Sequence, residues 1–336
     1  MDKRRDFIKK SIVLSGSCIF GLSKTSVAGS KNIKIPSITH GAPRSRVVVS
    51  HRSDLRTTGN NLSGIHLLKL LDSTVENLFQ SKSQNVWKSL FSSKDIVGLK
   101  VNCLAGRGLS TRIEVVEAVI ERLLEAGIKR SNIIIWDRHD NDLLRAGYKL
   151  YKGGKQVQCY GTNRVGYTSN IYEYESVGSQ LSRIIQDQCT AVINLPILKD
   201  HGIVGMSAGL KNFFGAINNP NKYHDNVGNP FVADVNMLPA IRRKTRLTIC
   251  DAITAQYEGG PPYMPQWAWN MDSLIAAVDM VALDQICRDI IEDKRQAEGF
   301  PSLKEANREP VYIATAADSN HRLGTNDHDK IELLRV

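Results

Sequence analysis

The stretch between Ile96 and Asp137 constrains the fold more than any other. Val97-Gly98-Leu99-Lys100-Val101 is an apolar run of strand length, followed by a glycine-bearing loop over residues 102–110. The next segment reads as a helix. Thr111 with Glu114 three places on has capping-box spacing, in which each side chain closes an orphan backbone N–H. Ile113, Val116, Ile120, Leu123 and Leu124 share one helical face, and Gly127 is a natural stop. Ile133-Ile134-Ile135-Trp136 then forms a second strand ending at Asp137. Strand, helix, strand is a βαβ unit, which requires parallel strands joined by a crossover. The predicted fold is therefore α/β, a mainly parallel central sheet with helices on both faces.

The rest of the chain extends this pattern. Val47-Val48-Val49 reads as a strand ending near Ser50-His51, and Leu68, Leu71, Val75 and Leu78 give helical spacing within 65–87. Further strands are expected at Ala191-Val192-Ile193-Asn194-Leu195 before Pro196, at Leu247-Thr248-Ile249-Cys250 before Asp251, and at Val311-Tyr312-Ile313-Ala314. A helix is expected over 273–290. Residues 138–180, rich in Gly and Tyr, predict an irregular excursion. Residues 46–336 read as one α/β domain, preceded by an extended lead-in over 29–45 that carries Pro36 and Pro43.

The first residues have another purpose. Arg4-Arg5 followed by Phe7-Ile8-Lys9 fits the twin-arginine signal pattern. The apolar stretch from Ser11 to Leu22 is 12 residues long, against about 20 for a bilayer-spanning helix. Ser26-Val27-Ala28 offers a small-x-small cleavage site, so residues 1–28 are expected to be a signal peptide. The expected partner during export is the twin-arginine translocase, the destination is periplasmic or otherwise extracytoplasmic, and no membrane anchor is expected after cleavage. That route carries folded chains, so the fold must form in a reducing compartment without disulfides. Cys103, Cys159, Cys189, Cys250 and Cys287 remain after cleavage, none in a Cys-x-x-Cys pair, and are expected as small buried hydrophobes. That spacing also argues against an iron–sulfur cluster. Removing residues 1–28 takes six basic and two acidic residues and lowers the net charge from +10 to +6. This mild excess, without a basic run, excludes nucleic acid as an expected partner.

In open parallel sheets ligands bind beyond the carboxyl ends of the strands. Lys100 and Asn102 follow the first strand of the βαβ unit, Asp137 and His139 the second, Lys199, Asp200 and His201 the third, and Asp251 and Glu258 the fourth. Gly106-x-Gly108 before the helix could hold an anion on backbone N–H groups. As a dinucleotide fingerprint it has Thr111 where the third glycine belongs, and a turn that needs glycine is the competing reading. The run from Leu195 to Gly215 sets Lys199, His201 and Lys211 among glycines and small residues. These groups suit a small carboxylate or phosphate, with His201 moving a proton and Lys211 able to bond covalently to a carbonyl or cofactor. His224-Asp225 adds a titratable pair. Asp251 and Glu258 could hold a hard cation or orient His201 and Lys211; a sheet-edge turn is the alternative.

The same residues carry a family resemblance. Lys100-Val101-Asn102 with Ser110-Thr111 resembles the first block of the domain of unknown function 362 family. Asn194-Leu195-Pro196-x-x-Lys199-x-His201 with Leu210-Lys211-Asn212-x-x-Gly215 resembles its second, followed by Tyr223-His224. Asp251-Ala252-Ile253 with Glu258-Gly259-Gly260-Pro261 resembles its third, and Val278-Asp279-x-Val281-Ala282-x-Asp284 with Leu323-Gly324 its closing pieces. Asp200 stands where a small hydroxyl residue is commoner, and Gly-Gly-Pro replaces Gly-x-Gly-Pro. Many relatives carry four-cysteine iron–sulfur modules, which this chain lacks. The family has no agreed reaction, so the resemblance transfers no catalytic role. His201-x-x-x-Gly205 with Lys211 is also similar to the nickel-pincer lactate racemases, although the rest of their glycine-rich pattern does not align. That likeness implies His201 as acid/base, Lys211 as a cofactor tether and His224 as a metal ligand.

The leading expectation is an exported enzyme for a small anionic substrate, with a metal or organic cofactor loaded before export. His201, Lys211 and His224 are its candidate catalytic residues. Lys100, Asn102, Thr111, Lys199 and Asn212 are candidate substrate-binding residues, and Asp251 and Glu258 candidate metal ligands. A non-catalytic anion- or cofactor-binding or maturation protein, racemase-like chemistry, and a structural partner of an envelope redox complex stay open.

Overall fold

The computed structural model describes residues 45–57 and 61–336. The expected signal peptide and nearly all of the lead-in lie outside them. The strands are β1 (Ser45–His51), β2 (Val97–Val101), β3 (Ile133–Trp136), β4 (Gln158–Cys159), β5 (Tyr172–Tyr174), β6 (Val177–Ser179), β7 (Ala191–Leu195), β8 (Ile197–His201), β9 (Gly205–Ser207), β10 (Thr245–Gln256), β11 (Ala268–Ala277) and β12 (Ile331–Arg335). The helices are α1 (Gly64–Phe79), α2 (Ser83–Leu90), α3 (Ile113–Glu125), α4 (Asp140–Ala146), α5 (Phe231–Met237), α6 (Pro239–Lys244), α7 (Met280–Ala297) and α8 (Tyr312–Ala317).

A central sheet runs in the order β12-β1-β11-β10-β7-β2-β3-β4, with the β8–β9 hairpin attached to β10. From β10 through β7, β2 and β3 to β4 every pairing is parallel, as the βαβ reading requires. Strand β11 is antiparallel to both its neighbours, so the sheet is mixed as well as mainly parallel. One core packs α1, α2 and α3 against Val97, Leu99, Ile193 and Ile249. The opposite core packs α5, α7 and α8 against Val192, Cys250 and Ile275. Strands covered on both faces read as continuous apolar runs, which is why β2, β3 and β7 are legible. All five cysteines named above are buried and free.

Several expectations need correction. The helix expected over 273–290 begins only at Met280, where Asp279 accepts from the N–H groups of Val281 and Ala282; Ser273–Ala277 is the end of β11. Val311–Ala314 turns into α8 and not a strand. The 65–87 pattern divides into α1 and α2. The 138–180 excursion contains α4 and the small β5–β6 hairpin. Thr111 does not cap α3: its hydroxyl donates to Leu195 O (2.6 Å) and accepts from Asn102 N (2.9 Å), tying the first loop to β7. The acceptor at the start of α3 is Asp251, which takes the Arg112 N–H at 2.8 Å.

Candidate functional site

Lys199 and His201, expected just beyond the strand that ends at Leu195, lie inside a strand of their own, β8. A strand alternates its faces, and β8 uses the alternation to separate charges. Leu198 and Asp200 face the core side, where Asp200 meets Arg308 at 2.8 Å. Lys199 and His201 face the other way, into a cavity of about 390 Å³. The β8–β9 register puts Ser207 opposite Lys199, and Ser207 lines the same cavity. The hairpin closes at Gly205 (φ +82°), where a Cβ would lie 2.1 Å from Arg308 O, so both the turn and its packing demand glycine.

Three lysines reach this cavity, all nearly inaccessible: Lys100 (1%), Lys199 (1%) and Lys211 (7%). Lys100, the penultimate residue of β2, is neutralised by Asp137 at 2.8 Å. Asp137 also accepts from the N–H groups of Cys103 (2.7 Å) and Arg138 (2.8 Å). Asn212 accepts from Lys100 Nζ and Asn102 Nδ2, both at 3.3 Å, and donates to Asn194 Oδ1 at 2.8 Å. Gly215 leaves room for this ion pair, since a Cβ there would lie 2.8 Å from Lys100 Nζ and 3.0 Å from Asp137 Oδ1.

Lys199 and Lys211 are different. Lys199 donates to Pro261 O at 3.0 Å. Lys211 meets His224 Nε2 at 3.2 Å and lies 3.9 Å above the Phe214 ring. Among the described residues neither ammonium has a carboxylate partner. Burial pulls Lys199 down to a pKa of about 8, with Asp200 and Asp137 opposing the fall. Burial, with Lys199 and Lys100 adding like-charge repulsion, pulls Lys211 down to about 7.

The two imidazoles have distinct roles fixed by their neighbours. His224 Nδ1 faces Pro220 O at 3.0 Å. A carbonyl can only accept, so Nδ1 carries the proton and Nε2 presents a lone pair to Lys211. His201 Nδ1 accepts from the N–H groups of Ile203 (3.3 Å) and Val204 (3.4 Å), which leaves its proton on Nε2. The rings stack at 5.4 Å. Burial, then Lys211, drives the pKa of His201 down to about 2, so it stays a neutral hydrogen-bond donor at physiological pH. Burial and Lys211 likewise lower His224.

The cavity thus gathers Lys100, Asn102, Lys199, His201, Lys211, Asn212 and His224. It does not gather Thr111, Asp251 or Glu258. Asp251 sits midway along β10, fully buried, accepting from Arg112 N (2.8 Å) and Ile253 N (3.0 Å). Glu258 is held by Arg295 and Arg308. Their oxygens are committed to backbone and guanidinium groups, and they share no site with His201 or Lys211. The described residues contain no group of three or more His, Cys, Asp or Glu side chains able to hold a metal ion. The Gly106–Gly108 loop offers no free anion site at Arg112, because the Asp251 carboxylate already occupies that N–H. The sequence reading missed Phe214, Ser207 and the pairing of Asp137 with Lys100. Phe214 had a signal, since positions three apart eclipse along the 3₁₀ turn Lys211–Ala216. The Lys100–Asp137 pair had one too, both lying at the carboxyl ends of neighbouring strands.

A family model described as domain of unknown function (DUF362) matches residues 97–289, more than half of the chain. The matched span holds every cavity residue discussed above. Among curated proteins none matches the chain. A crystal structure of a Thermotoga maritima protein from a structural genomics consortium is similar at 13% identity and a TM-score of 0.44. The likeness covers 71% of this chain and 60% of the other, and is too distant to carry an argument.

Proposed function

We propose that this chain, which belongs to the domain of unknown function (DUF362) family, is an exported enzyme acting on a small anionic substrate held by Lys199 and Lys211. One observation carries the reading: two buried lysine side chains face a common cavity without an anionic partner among the described residues. An unpaired buried charge is costly, and a ligand carboxylate or phosphate would offset the cost. Lys199 would take the anionic group, with the Nε2–H of His201 as a neutral donor. Lys100 and Asp137, already paired, would shape the wall along with Asn102 and Asn212. The lone pair of His224 beside Lys211 supports turnover over mere holding, because a proton acceptor next to an amine serves chemistry and adds nothing to anion affinity. An organic cofactor loaded before export would have to occupy this same cavity.

Export by the twin-arginine route is part of the proposal, supported by Arg4-Arg5 and the short apolar stretch behind them. Among the described residues no helix is long and apolar enough to cross a membrane. The test is a thermal-shift and calorimetric titration of the purified protein with inorganic phosphate, lactate and glycolate, beside intact-mass spectra of protein from cytoplasm and periplasm. Saturable anion binding that is lost in Lys199→Met supports the site. Absence of binding by all three anions, in protein whose mass shows no bound cofactor, sinks it. Anion binding without any turnover of hydroxy- or oxo-acids would favour the non-catalytic binding protein.

A further inference from the structure

We infer that Lys211 is a nucleophilic amine that forms an imine with a small carbonyl compound bearing a carboxylate, such as a 2-oxo acid. The inference rests on the anion-site reading and specifies the substrate class. Its basis is the contrast between the three lysines. Lys100 is bound to a carboxylate, and Lys199 donates to a carbonyl, so both nitrogens are engaged as hydrogen-bond donors to oxygen. Lys211 has as partners an imidazole lone pair at 3.2 Å and an aromatic face at 3.9 Å. The first of these accepts a proton that the amine must lose at some stage of imine formation. The lone pair is held toward Lys211 because Pro220 O fixes the tautomer of His224 through Nδ1. The lowered pKa of Lys211 agrees with this geometry, since burial and the neighbouring lysines favour the neutral amine.

The step balances with these groups. The Lys211 nitrogen attacks the carbonyl carbon, a C–N bond forms, and the C=O π pair moves to oxygen. The new ammonium passes a proton to His224 Nε2, and the imidazolium returns it to the oxygen, giving a carbinolamine. The nitrogen lone pair then forms C=N while the hydroxyl, protonated by solvent in the open cavity, leaves as water. One amine, one carbonyl and one proton yield an iminium ion and water. Nothing is oxidised or reduced. Lys199 holds the carboxylate throughout, and the low basicity of His201 keeps a neutral donor beside it, so the second imidazole does not compete for the proton. A volume of about 390 Å³ admits a small oxo acid together with water.

Reductive trapping tests this on the whole protein. Purified chain is incubated at pH 7 with glyoxylate and cyanoborohydride, then mapped by peptide mass spectrometry. The expected result is carboxymethylation concentrated on Lys211, at least about tenfold faster than on exposed lysines, because its neutral fraction at pH 7 is far larger. Lys211→Arg should remove the fast label, and excess inorganic phosphate should slow it. The mapping on the unaltered chain stands even if that variant fails to fold. Label spread evenly over surface lysines, or concentrated on Lys199 or Lys100, overturns the inference. If phosphate binds but Lys211 stays unlabelled, the imine fails and the anion site survives. If neither occurs, both fail.

Discussion

Replacing Lys199 by Met should make the protein more stable while abolishing anion binding. Holding the ammonium at a pKa of about 8 instead of 10.5 means that keeping it charged at pH 7 costs the fold about 3 kcal/mol. Met fills similar space without the charge. Against the gain stands Pro261 O, which loses its donor and costs about 1–2 kcal/mol if left dry. The net expectation is about 1–2 kcal/mol of stabilisation at pH 7. The pH dependence checks the sign. Between about 8 and 10.5 the unfolded lysine still binds its proton while the folded one has released it, so wild-type stability rises with pH relative to the variant. The advantage of Lys199→Met should therefore be full at pH 7 and vanish near pH 10.5. Urea titrations at several pH values, with and without phosphate, provide the assay. Phosphate should stabilise the wild type by RT ln(1 + [L]/Kd) and the variant scarcely at all. A variant that is destabilised at pH 7 and still gains equally from phosphate would refute the account of Lys199 as an uncompensated buried cation.

Gly215→Ala should push a methyl into the Lys100–Asp137 pair, costing about 1–3 kcal/mol in urea titration and weakening phosphate binding by calorimetry. Asp251→Ala should leave the Arg112 and Ile253 N–H groups unpaired and cost about 2–5 kcal/mol, with phosphate affinity of the folded fraction unchanged. His321 lies between Asp234 (2.7 Å) and Asp318 (2.8 Å); burial opposes its charge, but the two carboxylate bonds win and raise its pKa. Its contribution should be full below about pH 6.5 and fade as pH rises through the folded pKa, so the stability gap between wild type and His321→Gln should narrow from pH 6 to pH 9. Arg4→Lys with Arg5→Lys should leave the protein folded in the cytoplasm and absent from the periplasmic fraction on immunoblot.

The βαβ unit was legible because strands buried on both faces and an amphipathic helix have different periods. Strand β8 was not. Its Lys, Asp and His suggested a loop, since charged residues are depleted in strands. The alternation was present nonetheless: Leu198 and Asp200 on one face, Ile197, Lys199 and His201 on the other. A strand can carry such residues when each face meets a partner, here Arg308 behind and a cavity in front. Residues 273–277 failed for the opposite reason. Leu274-Ile275-Ala276-Ala277 is apolar on every side, and a short run of that kind fits a helix or a central strand equally well. Asp279, which caps α7, marked the true boundary. Val311–Ala314 looked β-branched and aromatic, but Pro310 just before it favours the opening of a helix.

The hardest feature to read was the division of labour among the carboxylates. Asp251 and Glu258 were grouped with the lysines because all follow strands, yet the fold spends most of its buried acids on fixing its own backbone. Asp251 holds the start of α3 from 139 positions away, Asp279 caps α7, and Asp284 accepts from Gly209 N (2.6 Å) and Leu210 N (3.1 Å) just before Lys211. Burial raises Asp284 to a pKa of about 7, so the turn that carries Lys211 is itself held by an acid under strain of desolvation. Asp200 and Glu258 are absorbed by Arg308 and Arg295 on the far side of β8. Among the described residues Asp137 is the carboxylate paired with a lysine of the cavity, Lys100, while Asp142 in the same lining pairs with Arg145. A fold that satisfies its acids internally and leaves two buried lysines without a carboxylate among the described residues has an excess of positive charge at one rim of its sheet. No spacing rule reveals that excess. It follows from which acids the backbone has already claimed, and it is the physical reason to look for an anion between Lys199 and Lys211.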